Sequence, residues 1–198
     1  GAQDVLKYLA SVGVIAAIGH TEGNFQDASA ATDNGASVVT HFLNAMNKDV
    51  TEGSIANFVL NDPRLGVELI VDGHHLPYSK VQEIFVSIGS RVLLVSDAMA
   101  AAGNGDGKYT IGALPVEVSN GVARLASNQK LAGSTLTISQ AFVNLINHCG
   151  ISLPQAVHAT SVQPAKAFGL KDRGSIAVGM RADLLSYNSA TESVTVIS

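Results

Sequence analysis

The stretch Leu65–His75, LGVELIVDGHH, joins a run of branched apolar residues to an aspartate, a glycine and two histidines. A short run that is apolar on both faces is typical of a strand inside a parallel sheet, because helices cover both faces of such a sheet. We therefore predict a strand over residues 65–72. The histidines follow at its carboxyl end, which is where α/β folds place their chemistry.

The same unit recurs on both sides of this strand. Further strands are predicted over residues 12–20, 37–42 and 91–97, and helices over residues 4–11, 24–36, 52–62 and 78–89. Gly35 is the expected stop of the helix that precedes the second strand. Strands that alternate with helices in this way indicate βαβ units. The predicted fold class is α/β, with a parallel sheet covered by helices.

The composition changes after the fourth predicted strand, where glycine and asparagine become frequent. A β-hairpin excursion is predicted near residues 105–130, because strand-like runs are joined there by turn signals such as Ser-Asn-Gly. Helices resume over residues 134–150, with Ser134 as the candidate N-cap, and over residues 152–170. The tail, residues 171–198, is predicted to contain two short antiparallel strands.

Composition argues against several classes of protein. The net charge is −4 and 14% of the residues are charged, so we see no basic stripe suited to a nucleic-acid backbone. The apolar runs are far shorter than the roughly 20 residues of a membrane span, and no signal pattern opens the chain. We expect a cytoplasmic protein with neither nucleic acid nor membrane as a partner. The chain begins with Gly1 and not with methionine, which suggests a processed or truncated polypeptide.

Polar residues fall at the carboxyl end of each predicted strand. His20 ends the first strand, His41 ends the second, His74 and His75 follow the third, and Asp97 ends the fourth. In a parallel sheet these ends share one edge, so we expect the side chains to meet there. Neutral imidazoles and a carboxylate are a common ligand set for zinc and similar divalent metals. The pattern therefore predicts a metal or acid–base site.

Other polar or glycine-rich features favour structural roles. His148 and His158 fall inside predicted helices, and the lone cysteine, Cys149, lies in an apolar run and is expected to be a core residue. The cluster GNGDG, residues 103–107, matches neither a dinucleotide fingerprint nor a P-loop. GHTEG, residues 19–23, has threonine where a nucleophile elbow has serine. These observations argue against a nucleotide cofactor and against a serine hydrolase.

Five segments carry a resemblance to a known family. They are AIGHTEGNFQDASAATDNGASVVTHFLNAM, IVDGHH, LLVSDAMAAAG, LAGSTLTISQAFVNLINHCGISLPQAVHATSVQPAKAFGL and GSIAVGMRADLLSYN. Together they resemble the second half of the N-acetylglucosamine-6-phosphate deacetylase family, in the amidohydrolase superfamily. GHT, THFLNAM, DGHH and SDAMAAAG in that order are specific to this family, whereas the last of the five segments identifies only the superfamily.

The resemblance implies a fold and an activity. The implied fold is the C-terminal half of a (β/α)8 TIM barrel over residues 1–170, with strands of a small β-sandwich domain over residues 171–198. An N-terminal segment is then needed to complete the barrel, and a homodimer is implied because dimers are common in the family. The implied activity is metal-dependent hydrolysis of the acetamide of N-acetylglucosamine 6-phosphate to glucosamine 6-phosphate and acetate.

The family's site residues carry over position by position. His20 and His41 match its two histidine metal ligands, and Asp97 matches its catalytic aspartate. The substrate-binding positions are matched by Asn44, Ala45, His75, Leu131, Ala132 and Gly133. The implied cofactor is a divalent metal, with zinc expected and iron or manganese as alternatives. Such a metal polarises the amide carbonyl and activates water, and a carboxylate beside it moves the proton.

Two features depart from the family pattern. The family's further metal ligand, a glutamate from an earlier barrel strand, has no match in this chain. NKDVTEGSIAN, residues 47–57, lacks the family's phosphate-binding arginine, although Lys48 offers a point charge. The alternatives are therefore an amidohydrolase for another N-acetyl amino sugar, of the galactosamine type or unphosphorylated, or for a cyclic amide. An inactive fragment that lacks the first half of the barrel is a further alternative.

Overall fold

The secondary structure follows the predicted alternation of strands and helices. The computed structural model describes residues 1–197, and Ser198, the end of the predicted tail, lies outside the described residues. The elements are α1 (Ala2–Ser11), β1 (Ala16–Ile18), α2 (Phe25–Asp33), β2 (Ala36–Val39), α3 (Ile55–Asn61), β3 (Gly66–Leu69), α4 (Tyr78–Ile88), β4 (Val92–Leu94), β5 (Gly107–Ile111), β6 (Leu114–Ser119), β7 (Val122–Leu125), α5 (Ile138–Asn147), α6 (Leu153–Val157), α7 (Gln163–Ala167), β8 (Leu185–Asn188) and β9 (Ser193–Val196). A 3-10 turn, Gly89–Arg91, precedes β4, and a π-helical turn, His158–Val162, joins α6 to α7.

The first four strands of the described chain form one sheet in the order β1-β2-β3-β4. All three neighbouring pairs are parallel, and β2 is aligned on β3 with Val38 opposite Gly66 and Val39 opposite Val67. Val38, Val39, Val67 and Val92 are at most 1% exposed. Burial of both faces of these strands confirms the predicted parallel sheet between helices.

Helices cover the sheet with apolar side chains. Val59 of α3, Val81 of α4 and Leu145 of α5 are fully buried in the same core as Val39, Val67 and Val92 of the strands. Each such side chain contributes roughly 1.5–3 kcal/mol on burial, so this core is the main source of stability. α2 begins where Asn24 and Asp27 form a capping box, and its C-cap is Asn34, directly before Gly35, the predicted stop.

The parallel sheet is open in the described part of the chain. β1 pairs only with β2, and β4 pairs only with β3, among residues 1–197. Beside β1, helix α1 buries no residue, and Val5, Tyr8 and Val12 are each more than half exposed. Four βα units that do not close into a barrel leave open sheet edges and exposed apolar surface. Residues 1–197 do not form a closed (β/α)8 barrel, and the division into two domains at residue 170 stays a prediction.

Two small antiparallel sheets accompany the parallel sheet in the described chain. β5, β6 and β7 form a three-stranded meander, so the predicted excursion contains one strand more than a single hairpin. Val116, Val118 and Ala123 form a small core beneath this meander. β8 and β9 pair antiparallel as predicted for the tail, and Tyr187 of β8 lies edge-on to Phe142 of α5, with ring centroids 5.1 Å apart.

The predicted helix over residues 134–150 starts too early. α5 begins at Ile138, and its N-cap is Thr137, whose hydroxyl oxygen accepts a hydrogen bond from the backbone N–H of Gln140. The assignment of Ser134 as N-cap is therefore wrong. Ser134 donates its hydroxyl to the carbonyl of Ser96 instead, which keeps it beside the chain that leaves β4.

The predicted helix over residues 152–170 is confirmed over most of its length, but it contains the π-helical turn between α6 and α7. Pro164 lies in the first turn of α7 and has no N–H to donate to the turn before it. The regular hydrogen-bond pattern is therefore interrupted next to the wider turn. Within residues 1–197, no helix combines the length and the apolar character that crossing a membrane requires.

Candidate active site

Left-handed backbone occurs just after three of the parallel strands. The angle φ is +47° at His20 after β1, +32° at His41 after β2 and +49° at Asp97 after β4. This conformation is uncommon for residues other than glycine, and it persists where the surroundings or function require it. It also explains why these strands end before the predicted positions, because a left-handed residue interrupts extended backbone. Three residues predicted for the site therefore share one strained backbone geometry at one edge of the sheet.

His20 and His41 face each other at this edge. Their Nε2 atoms are 2.9 Å apart, and their ring centroids are 4.7 Å apart with the planes at 70°. His41 is buried, whereas His20 is exposed. The Nδ1 atom of His41 is buried without a hydrogen-bond partner among the described residues. Two imidazole nitrogens this close either share one N–H or bind the same cation.

Glu68, in β3, is a neighbouring carboxylate that the sequence reasoning missed. Its Oε2 atom accepts a hydrogen bond from the backbone N–H of His41 at 3.3 Å, and its carbonyl accepts one from Phe42 at 2.7 Å. Burial raises the pKa of Glu68, and the charge of Asp97 adds to this, although the contact with His41 opposes it. Glu68 thus braces the left-handed turn at His41. A single glutamate inside an apolar strand belongs to no motif, so the sequence carried no signal for it.

Asp97 lies against the segment that contains the predicted sugar-pocket residues. The backbone N–H of Ser134 donates to the Asp97 carbonyl at 2.8 Å. A Cβ atom on Gly133, where φ is +61°, would stand 2.9 Å from the same carbonyl. Glycine is required here by both the backbone angle and the close approach. Gly133 therefore lies beside Asp97, while Ala132 is buried in the small core under the meander.

His75 is held by an aspartate three residues earlier. Asp72 Oδ2 lies 2.7 Å from His75 Nδ1, and Asp72 Oδ1 accepts hydrogen bonds from the backbone N–H groups of His74 and His75. Burial raises the pKa of Asp72, but the hydrogen bonds from His75 outweigh burial and lower the pKa to about 2. Asp72 is thus ionised at neutral pH and fixes the orientation of the ring. The Asp-Gly-His-His motif did not by itself indicate that Asp72 orients the ring of His75.

A cavity of about 380 Å³ opens beside His75. Its wall includes Asp72, the turn between β6 and β7, residues 133–137 and the side chains of Gln140 and Asn144. His75, Leu131 and Gly133 line it, whereas His20, His41 and Asp97 are not part of its lining. Gly133 therefore contacts both Asp97 and the cavity. The Nε2 atom of His75 is buried without a partner among the described residues.

The turn after His41 carries the two other predicted substrate positions. Leu43 and Ala45 are left-handed like His41, with φ of +64° and +49°, so the backbone changes hand repeatedly. Leu43 and Met46 anchor the turn in the core. Asn44 is partly buried and Ala45 is exposed, so these two residues remain accessible.

Comparison with known proteins decides the family. A model of the amidohydrolase family matches residues 4–197, which is nearly the whole chain. The chain belongs to the amidohydrolase family. The motifs indicate a resemblance to the N-acetylglucosamine-6-phosphate deacetylases. The relatives of this amidohydrolase confirm that resemblance.

Two curated relatives and one solved structure illustrate the similarity. The N-acetylgalactosamine-6-phosphate deacetylase of Escherichia coli O157:H7 is 34% identical over 191 residues, which are 96% of this chain and 50% of the relative. The N-acetylglucosamine-6-phosphate deacetylase of Vibrio furnissii is 32% identical over 191 residues, which are 96% and 48% of the two chains. A mutant of the Mycobacterium smegmatis N-acetyl-D-glucosamine-6-phosphate deacetylase, in complex with N-acetyl-D-glucosamine-6-phosphate, has a TM-score of 0.93 and 40% identity, and the match covers 100% of this chain and 53% of that one. The chain spans about half the length of the curated relatives it matches.

The histidine pair of this amidohydrolase fits part of a metal shell. Zinc binds imidazole nitrogen at about 2.0–2.1 Å, so two nitrogens 2.9 Å apart can both reach one ion. Within residues 1–197, however, no group of three or more His, Cys, Asp or Glu side chains is arranged to hold a metal.

His148, His158 and Cys149 of this amidohydrolase do not line the cavity beside His75. His148 follows α5 and stacks on Tyr78, with ring centroids 4.7 Å apart. His158 begins the π-helical turn and lines a second cavity, of about 660 Å³, near the amino ends of β2 and β3. Cys149 is buried as expected, and burial raises its pKa to about 11, which keeps the thiol protonated and unreactive at neutral pH.

Proposed function

We propose that this chain carries the site residues of a metal-dependent deacetylase. The reaction is hydrolysis of the acetamide of N-acetylglucosamine 6-phosphate, which gives glucosamine 6-phosphate and acetate. The observation that carries the proposal is the facing pair of His20 and His41, at the same sheet edge as Asp97 and with the same left-handed backbone. Membership of the amidohydrolase family and similarity to proteins named as amino sugar phosphate deacetylases support it.

His20 and His41 would hold a divalent metal through their facing Nε2 atoms. Zinc suits imidazole ligands, and iron and manganese are the alternatives. When bound, the metal polarises the amide carbonyl and makes water a better nucleophile at neutral pH. Glu68 keeps His41 in place through the hydrogen bond to its backbone N–H.

Asp97 is the proton carrier in the proposal. Its carboxylate takes a proton from the attacking water while the C–O bond to the acetyl carbon forms. It then gives that proton to the sugar nitrogen as the C–N bond breaks, so acetate and the amine leave. Its backbone is fixed for this role by the contact with Gly133 and the hydrogen bond from Ser134.

His75 binds the substrate through Nε2 in this proposal. Because Nδ1 is directed at Asp72, Nε2 accepts a hydrogen bond when the ring is neutral and donates one when the ring is protonated. The cavity beside it would hold the sugar, with Leu131, Ala132 and Gly133 in the segment along one side. A volume of about 380 Å³ lies within the usual range for small-molecule pockets.

The turn at Asn44 and Ala45 would receive the phosphate. Backbone that changes hand between neighbouring residues can direct successive N–H groups into one concavity, which favours an anion. The ammonium group of Lys48 lies 3.4 Å from the carbonyl of His75, so a positive charge stands between this turn and the cavity. Lys48 would supply a point charge where the family uses an arginine.

A second candidate is the same reaction on a different amino sugar. The absence of arginine from residues 47–57 weakens the case for a phosphate, and one relative is named as an N-acetylgalactosamine-6-phosphate deacetylase. The candidates are therefore N-acetylgalactosamine 6-phosphate and unphosphorylated N-acetylglucosamine. The stereochemistry at one sugar carbon and the presence of the phosphate distinguish these substrates.

Acetate release tests the proposal. Because the chain spans about half the length of its relatives, the assay uses the longest natural polypeptide that contains it, loaded with zinc. We expect acetate from N-acetylglucosamine 6-phosphate, loss of activity after chelation, and recovery on adding zinc. Faster release from the galactosamine substrate or from the unphosphorylated sugar would select the second candidate. Zinc bound without acetate release from any of the three would reject both.

A further inference from the structure

A buried asparagine in helix α5 stands out among the polar groups that the proposed chemistry leaves unused. Asn144 is 6% exposed, and its neighbours in the helix, Val143 and Leu145, are core residues. Asparagine is a poor helix former, and burying its amide is costly unless the amide is hydrogen-bonded. Its position therefore depends on the contacts that its side chain makes.

Both ends of the Asn144 amide are engaged. Nδ2 donates to the carbonyl of Val71 at 2.8 Å, across a sequence separation of 73 residues. Oδ1 accepts from Nε2 of Gln140, one turn earlier in the helix, also at 2.8 Å. Because the Val71 carbonyl can only accept, it requires the Nδ2 end of the Asn144 amide, and Gln140 completes the arrangement by donating to Oδ1.

Val71 follows the end of β3 and directly precedes Asp72, the carboxylate that pairs with His75. The hydrogen-bond ladder of β3 stops at Leu69. The carbonyl of Val71, beyond the ladder, therefore accepts from the side chain of Asn144 in α5. The carbonyl of Val71 and the N–H of Asp72 belong to the same planar peptide group. A donor that holds the Val71 oxygen therefore also fixes the start of Asp72, whose carboxylate orients His75.

We propose that Asn144 is a positioning residue for the Asp72–His75 pair and that Gln140 supports the Asn144 amide by donating to its oxygen. The inference rests on the proposed function in one respect, namely that His75 contacts substrate. Gln140 and Asn144 line the same cavity as His75, so the hydrogen bonds that connect them to Val71 and Asp72 run along the wall of the pocket. Neither residue needs to touch the reacting atoms to act in this way.

Asn144→Leu tests the first step, because leucine fills a similar volume and cannot donate to Val71. The ring N–H of His75 that faces Asp72 is followed by proton NMR in the metal-free protein, together with kcat and KM on the acetyl amino sugar phosphate. We expect this N–H signal to broaden or exchange faster and kcat/KM to fall about tenfold or more, since small misplacements at a site are costly. Asn147→Leu, the same change at an exposed position of α5, is the matched control and should leave both unchanged.

Gln140→Glu tests the hydrogen bond from Gln140 to Asn144 without altering the core. Gln140 is exposed near the start of α5, where a negative charge favours the helix, so the fold should be kept. Glutamate has no donor for Asn144 Oδ1 and its carboxylate repels that oxygen, so the Asn144 amide is displaced and its hydrogen bond to the Val71 carbonyl is weakened. We expect the same change in the His75 signal as in Asn144→Leu, and a smaller one in Gln140→Met, which neither donates nor accepts.

The outcomes separate the two proposals. An unchanged His75 signal and kcat/KM within twofold of the parent in Asn144→Leu would overturn the positioning role. If Asn144→Leu does not fold, Gln140→Glu decides, and an unchanged signal there has the same meaning. If the parent protein releases no acetate, the proposed function fails while the NMR result still tests the link from Asn144 to His75.

Discussion

At the carboxyl end of the parallel sheet, β1, β2 and β4 are followed by left-handed His20, His41 and Asp97. At the amino end, by contrast, the guanidinium of Arg91, just before β4, donates to backbone carbonyls that would otherwise lack partners. They belong to Val59 and Leu60 in the last turn of α3 and to Leu65 before β3. The carboxyl end of the sheet thus carries strained backbone, whereas at the amino end a side chain satisfies backbone carbonyls with hydrogen bonds.

This difference separates chemistry from stability along the strands. Strained backbone and unpartnered polar groups lower stability, and they are tolerated where the residues bind a ligand or react. Residues at the opposite ends of the strands have no such role and can simply stabilise the fold. If this is right, substitutions at the carboxyl end should change activity more than stability, and substitutions at the amino end should do the reverse. The predictions below follow that division, beginning with the largest expected effect.

Asp97→Asn should give the largest effect. Loss of the proton carrier is expected to lower kcat by about 10²–10⁴-fold. Asparagine tolerates left-handed backbone, so the free energy of unfolding should stay close to that of the parent. Acetate release and urea denaturation on the same preparation measure the two quantities. Asp97→Ala is the companion variant, because alanine loses activity as well and also carries the cost of the backbone angle. A loss of activity in Asp97→Asn that merely follows the unfolded fraction would contradict the division.

Arg91→Met should give the opposite result. Methionine keeps an apolar stem but leaves three carbonyls without their donors, which is expected to cost about 3 kcal/mol in the free energy of unfolding. The kcat and KM of the molecules that remain folded should not change, because Arg91 lies at the edge away from the candidate site. Arg91→Lys should fall between the two, since one ammonium group cannot reach all three carbonyls. Urea denaturation with kinetics well below the melting temperature tests this, and a changed KM in the folded fraction would argue against the division.

Asp72→Asn tests whether the carboxyl end contributes any stability of its own. The pKa of Asp72 is about 2 in the fold against 3.8 for the free side chain, so the ionised carboxylate stabilises the fold. The contribution, about 2 kcal/mol, is complete above the unfolded pKa and is lost as pH falls through the folded pKa. The difference in unfolding free energy between parent and variant should therefore be constant near neutral pH and shrink between about pH 4 and 2. A difference that does not depend on pH over this range would contradict the assigned cause.

The sequence predicted one side of this comparison better than the other. The apolar strands predicted the parallel sheet, and the polar residues that follow them placed His20, His41 and Asp97 at one edge of it, because strand ends in such a sheet share an edge. Ser134 was misplaced because a serine before an apolar helix looks like a cap, and its bond to Ser96 spans 38 residues.

Contacts between distant parts of the chain account for most of what the sequence could not give. Glu68 supports His41 from a different strand, and Asn144 holds Val71 from a different helix. Neither residue lies in a motif, and their partners are known only when the fold has brought the segments together. The residue types at the site were thus predictable, whereas the groups that hold them in position were not.

Arg64→Met is expected to give the smallest effect and sharpens the account of the amino end. Like Arg91, Arg64 lies near the amino ends of the strands, and it pairs with Asp33 at 2.8 Å and Asp62 at 2.6 Å. Its side chain is 51% exposed, so water and salt screen both pairs and little stability is gained from them. The urea midpoint of Arg64→Met should move far less than that of Arg91→Met, and added salt should remove what difference remains. If the two variants lost equal stability, the ion pairs of Arg64 would matter as much as the hydrogen bonds from Arg91 to backbone carbonyls. The contrast between the two ends of the sheet would then rest on electrostatics instead of on hydrogen bonds.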